Sequence, residues 1–259
     1  MKIELLTEET SSFDARDLVV ESITHPELEV PATVDYRPEM PPVWDQGVDG
    51  PCSSYTAAAI KSWQELKDYG LNKNLSRYFL YNIRPNKPTK GMTPRMTMQL
   101  LRAYGIPTHD SYRRFGRKGL DKLPKWLLTE AQNHRIAGYA RVMTIEGLQK
   151  SLYKNGPAYA AMPVFNDSDR FWHAPHGQKM LGGHAVAIVG YNPKGFIIRN
   201  SWGQSWADKG HTIYPYSDWG AHFEIWTIVD EKSGELLPAP PKKRSAIGRL
   251  LAKIFGSKK

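Results

Sequence analysis

The chain has 259 residues, of which 41% are hydrophobic and 24% charged, with one cysteine and a formal net charge of +9. That length supports one domain of two lobes, or two small domains, around a core that needs no staples; no apolar run nears the roughly 18 residues of a membrane span, and a single thiol excludes an intramolecular disulfide. The charge does not signal nucleic acid, because seven basic residues and no acid fall within 238–259, leaving +2 on the rest of the chain, and no aromatic and basic RNA-binding module is present.

Residues 1–34 read as an N-terminal extension. Its first ten residues turn acidic before any apolar run or small-residue cleavage site, unlike a secretory signal. With the lone cysteine this gives a cytoplasmic expectation, with peripheral membrane attachment or a specialised secretion route as alternatives. Within the extension, the segment from Leu18 to Thr24 is extended and apolar enough to occupy a cleft. Residues 36–50, rich in Pro, Gly and Asp, read as loop.

A helix is expected from Cys52 to Gly70, with Ala57, Ile60, Leu66 and Tyr69 on its apolar face and Gly70 as its stop. Further helices are expected over 97–104, 125–132 and 146–155. After Gly156-Pro157 the texture changes to strand-like runs at 158–165, 185–189, 195–199 and 223–229. A helical first half and a β second half make an α+β chain, with the cleft between the lobes as the default site.

Thiol catalysis needs a thiolate, an imidazole to exchange its proton, a group to hold the imidazole, and donors for an oxyanion. Cys52 at a helix N-terminus beside an imidazolium would have its pKa lowered to roughly 3.5–7.5. Around it, Asp45-Gln46-Gly47 and Gly50-Pro51-Cys52-Ser53, then Gly183-His184-Ala185 through Gly190-Tyr191, then Asn200-Ser201-Trp202-Gly203 resemble the papain, or cathepsin-like, family of cysteine peptidases. The resemblance begins at Val34-Asp35-Tyr36-Arg37 and runs to about Val229. His184 and Asn200 lie 132 and 148 residues after Cys52, inside the family's spacing of about 130–150.

The resemblance implies a papain-like two-lobed fold, with a helical lobe over about 50–134 and an antiparallel β-barrel-like lobe over about 135–232. It implies a catalytic domain at 35–232; beyond it, composition reads 233–259 as a Pro-rich linker with a basic amphipathic tail. It makes Cys52 the nucleophile, His184 its base, Asn200 the orienter, Gln46 an oxyanion donor and Trp202 the shield of the Asn–His hydrogen bond. It also implies a polypeptide substrate lying against Gly91, Met92, Ala160, Gly183 and Trp202. Three features depart from the family: the structural cysteine before the nucleophile and the tryptophan after it are absent, and the 34 residues before the domain are expected to hold no counterpart of the long inhibitory propeptide. A transamidase or isopeptidase would use the same triad, and a non-catalytic peptide-binding module would keep the fold.

A lone cysteine is more often a small buried hydrophobe than a nucleophile, but that reading does not explain the joint spacing of four segments. His173 and His176 sit three apart with Pro175 between them, which breaks the register a helical metal pair needs, so no metal or other cofactor is expected. In the tail, Ile247, Leu250, Leu251, Ile254 and Phe255 follow helical spacing among basic residues, the pattern of a helix that binds an anionic membrane or an acidic protein partner through 242–259.

Overall fold

The computed structural model describes residues 7–48, 51–89, 91–116, 118–174 and 177–230; His176 and the linker and tail expected at 233–259 lie outside the described residues. Helix α1 (Val20–Ile23) and strand β1 (Val34–Asp35) precede α2 (Cys52–Tyr69), α3 (Phe79–Ile83), α4 (Pro94–Tyr104), α5 (His109–Arg113) and α6 (Lys125–Gln132). Then come β2 (Gly138–Val142), α7 (Ile145–Asn155), β3 (Ala158–Val164), β4 (Gly182–Asn192), β5 (Gly195–Arg199), β6 (His211–Pro215) and β7 (Glu224–Val229).

The strands form an antiparallel sheet in the order β2-β7-β3-β4-β5-β6, with β1 added along β4. One apolar cluster joins the helices to one face of the sheet, through Ala57, Ile60, Leu80, Leu101 and Leu127 against Tyr159, Ala187, Val189 and Trp226. A second covers the other face, where Leu148 and Leu152 of α7 meet Ala160, Val186, Ile188 and Ile225. Strands covered on both faces have no solvent side to fill with polar residues, which is why β3, β4 and β7 read as continuous apolar runs.

Helix α2 runs along the seam between the lobes. Its first fourteen residues are buried all round, and it stops at Gly70, whose φ of 67° suits a residue without a Cβ. The apolar face expected for it is right at Ala57 and Ile60. Leu66 and Tyr69 are each 39% exposed instead, because the last turn has left the core. Helix α4 begins a turn earlier than expected, since Thr93 caps it by accepting from the Met96 N–H and Pro94 supplies a fixed first residue.

The Leu18–Thr24 stretch does not enter a cleft. Leu18 O accepts from Arg141 N at 2.7 Å, Val20 is buried in the second cluster, and the Glu21 carboxylate accepts from Met143 N, Thr144 N and Thr144 Oγ1 at 3.0, 2.8 and 2.8 Å. An acid at the start of α7 meets unpaired N–H groups and the positive end of the helix dipole, which holds this segment on the outside of the β lobe.

Candidate active site

Cys52 is the first residue of α2 and is fully buried. One turn on, Thr56 Oγ1 donates to Ala185 O at 3.0 Å, so the helix that carries the thiol is tied to the strand position next to His184. Asn200 follows β5, its backbone N–H held by Gly210 O at 2.9 Å. Its Oδ1 lies 2.7 Å from His184 Nε2 and also accepts from Ser201 N at 2.7 Å. Since that oxygen accepts both bonds, His184 carries its hydrogen on Nε2, and Nδ1 keeps the lone pair. Nδ1 is buried without a hydrogen-bond partner among the described residues.

Aromatic rings hold the imidazole in place. The Trp202 indole stacks on it at 4.7 Å between centroids and 25° between planes, Phe171 meets it edge-on at 5.9 Å, and Trp206 packs on Trp202 at 5.5 Å. This wall keeps water from the His184–Asn200 hydrogen bond, which is stronger in a low dielectric.

Gln46 is placed by main-chain pairing with the same turn. Its N–H donates to Ser201 O at 2.9 Å, Gly203 N donates to Trp44 O at 3.2 Å, and Asp45 bridges Trp202. Arg199 braces the loop by donating to Pro41 O and Pro42 O at 3.0 and 2.7 Å. Ser201 Oγ donates to Gln46 Oε1 at 2.5 Å, which fixes the amide so that Nε2 is the end left for another acceptor.

The N-terminal extension crosses this site through residues 7–9. Met92 N donates to Thr7 O at 2.8 Å, Glu9 N to Met92 O at 2.7 Å, and Glu8 N to Gly183 O at 3.1 Å. Glycine is needed on both sides: a Cβ on Gly183 would stand 2.0 Å from Glu8 O, and one on Gly91 1.6 Å from a Glu9 carboxylate oxygen. Thr7 Oγ1 lies 3.9 Å from Cys52 Sγ. Glu8 Oε1 accepts from Tyr159 OH at 2.8 Å.

Of the five expected substrate contacts, Gly91, Met92 and Gly183 therefore meet an extended peptide, which here is the chain's own, and Trp202 stacks on the histidine. Ala160 does not join them. It packs in the second cluster with Val186 and Ile225, and its neighbour Tyr159 faces the extension. Successive residues of a strand point to opposite faces, so an error of one position moves a residue from the cleft to the far core.

The expected low thiol pKa is not found in this closed arrangement. Burial, with Glu8 acting in the same direction, pushes the Cys52 thiol up to about 12, and burial brings His184 down to about 4 although its bond to Asn200 works the other way. Both groups are neutral at pH 7. A helix N-terminus cannot stabilise a thiolate that has lost its water. Phe171, Trp206, Ser201, Tyr159 and the Thr7–Glu9 crossing were not anticipated. A second tryptophan four residues after Trp202 was a usable signal; Glu8 carried none.

A sequence profile described as "Papain family cysteine protease" matches residues 30–218. Cysteine proteinase 3 of Entamoeba histolytica is 27% identical over 195 residues, 71% of this chain and 62% of that protein. Papain of Carica papaya is 26% identical over 194 residues, 71% of this chain and 55% of papain's. The chain thus spans less than two thirds of the length of these two curated relatives. Among solved structures, xylellain, a cysteine protease from Xylella fastidiosa, superposes with a TM-score of 0.73 at 24% identity, covering 88% of this chain and 97% of its own. Procathepsin B S9 from Trypanosoma congolense gives 0.68 at 17% identity, covering 89% and 88%. The fold is therefore the two-lobed α+β fold of those enzymes, and the chain belongs to the papain family of cysteine proteases.

Proposed function

We propose that the chain is a thiol-dependent peptidase in which Cys52, His184, Asn200 and Gln46 act on an extended polypeptide. The observation that carries this reading is the His184–Asn200 contact of 2.7 Å beneath Trp202, which leaves a lone pair on a buried Nδ1 that has no partner among the described residues. With a substrate in place of residues 7–9, Nδ1 takes the thiol proton and Sγ attacks the scissile carbonyl carbon. The carbonyl π electrons move to oxygen, which is held by Gln46 Nε2 and the Cys52 N–H at the start of α2. As the tetrahedral intermediate collapses, the C–N bond breaks and the Nδ1 proton passes to the leaving amine. A water, deprotonated by the same nitrogen, then hydrolyses the thioester and returns the thiol. Asn200 keeps Nε2–H occupied, so the ring presents Nδ1 through both halves.

The first test is labelling of the full chain with an irreversible epoxide, read by intact mass; with one cysteine in the sequence the site is unambiguous. Native protein should take one label, and His184→Ala should slow the reaction at least about 100-fold, since a base of this kind contributes roughly 10²–10⁴. Labelling that is no faster than in denatured protein, under conditions that release residues 7–9, overturns the reading. A second measurement concerns the oxyanion: Gln46→Ala should lower kcat by about 10²–10³ with little change in KM, because its amide meets charge only in the transition state. A rise in KM with kcat unchanged would make Gln46 a substrate-binding group instead.

A further inference from the structure

Glu8 goes deeper than its backbone needs. The residue is 4% exposed; Oε1 accepts from Tyr159 OH at 2.8 Å, and Oε2 is buried with no hydrogen-bond partner among the described residues. Among the described residues the groups that face it are mostly acids. Cys52 stands on the α2 side, Tyr159 on β3 and Glu224 on β7, with Glu9 next to it on its own segment. His184 of β4 is neutral. The nearby cations answer other partners: Arg95 of α4 holds Asp17 through its Nε at 2.9 Å, and Arg141 of β2 approaches Glu224 at 3.8 Å.

Glu224 is the better supported of the two acids. Its carboxylate accepts from Ser11 N and, at 2.8 Å, from Trp226 Nε1. An ionised Glu8 would be a second carboxylate in the same pocket with one oxygen unpaired, which is far costlier to bury than the neutral acid.

We propose that residues 7–12 are an intramolecular inhibitor of the site, latched by a proton on Glu8. The inhibitory part rests on the reading of Cys52 and His184 as the reacting pair; the latch does not. The segment occupies the backbone positions of Met92 and Gly183, stands against the thiol through Thr7, and excludes the water that a thiolate and an imidazolium would need. Released into solvent, Glu8 returns to an ordinary glutamate.

The direction with pH follows. Burial, joined by the charges of Glu224 and Glu9, raises Glu8 well above its ordinary value against the opposing pull of the Tyr159 hydrogen bond. A group with a raised pKa in the docked state binds its proton more tightly there. Docking is therefore strongest below the ordinary glutamate range and weakens by up to about tenfold per pH unit as pH rises towards the raised value. The chain is latched in acid and opens toward neutral and alkaline pH.

The test is hydrogen–deuterium exchange of the N-terminal peptide in the full chain from pH 4 to pH 8, each point corrected for the intrinsic rate, because the amides of Glu8 and Glu9 are the ones bonded to Gly183 and Met92. In the wild type, protection should fall at least about tenfold across that range. Glu8→Gln, which keeps the shape and carries no proton to lose, should stay protected and flat. Glu8→Ala should be unprotected and flat. Peptide turnover at the upper end should be at least about tenfold lower in Glu8→Gln than in the wild type. Flat wild-type protection, or a Glu8→Gln profile that falls with the wild-type slope, overturns the latch whatever the turnover. Exchange that follows the expected pattern while no variant hydrolyses a peptide at any pH supports the latch and overturns the peptidase reading.

Discussion

Cys52→Ser should lower kcat/KM on a peptide substrate by about 10⁴–10⁶-fold, and His184→Ala by a similar factor, while the double variant falls no further than the worse single one. The non-additivity is the diagnostic part. On the proposed reading Sγ uses Nδ1 only to lose a proton to it, and among the described residues Nδ1 has no hydrogen-bond partner in the closed chain. Removing either ends the same step. Serine matches cysteine closely in shape and still offers Thr7 a hydrogen-bonding atom where Sγ lay at 3.9 Å, so its melting temperature should stay within a few degrees of wild type. Effects that multiply in the double variant, or a wild-type rate surviving in Cys52→Ser, would show that the two side chains serve different steps or none. The comparison belongs at a single pH on the open side of the Glu8 latch, where the closed population does not mask the chemistry.

The parts of this site that could be read in advance share one property: they sit in local segments whose composition reports their surroundings. Cys52 opens a run of helix formers, and His184 lies in an apolar strand that could not keep a polar ring without a partner. Asn200 follows a second such strand, Gly195–Arg199. Parity along a strand is less legible where both faces are covered, because β3 is buried at every position and nothing in Ala158–Val164 marks which side meets the cleft; hence Ala160 in place of Tyr159. Strands β2 and β6 are hard to read from the sequence for a related reason. Each is five residues long, β2 carries Arg141 on a half-exposed face, and β6 ends in Pro215 with only Tyr214 buried.

The crossing of the site by Thr7, Glu8 and Glu9 was illegible for a different reason. Acidic residues near a chain start signal solvent, and burying a glutamate goes against its own preference. Only the long-range geometry, with Tyr159 and Glu224 waiting on two strands, makes the arrangement intelligible. On composition alone the apolar Leu18–Thr24 stretch is the better candidate for the cleft. It went instead to the apolar patch beside α7, where Val20 finds Val142 and Leu148.

The largest stability effect should come from Lys61, which is 1% exposed in the middle of the helix that carries Cys52. Its ammonium pairs with Glu65 one turn later, at 2.8 Å, and with Asp230 just past β7. Glu65 is also met by His134 Nδ1 at 3.0 Å. Lys61→Met keeps the length of the stem but leaves two carboxylates facing each other away from water. Breaking a buried pair in this way costs about 3–5 kcal/mol, read as a lower denaturation midpoint in urea with an unchanged slope. Burial alone would raise Glu65, yet its bonds to His134 and Lys61 hold it below the ordinary value. The stability from that depressed pKa is present above the ordinary carboxylate range and is lost as pH falls through the lowered value. The Lys61→Met penalty should therefore shrink in acid, as Glu65 takes up a proton. Adding Glu65→Gln and Asp230→Asn to Lys61→Met should recover most of the loss at neutral pH, because the two buried carboxylate charges that lose the ammonium, and not the missing contact, carry it. A penalty below about 1 kcal/mol for the single variant would mean that water reaches these groups, and the cluster could not then hold α2, and Cys52 with it, against the end of β7.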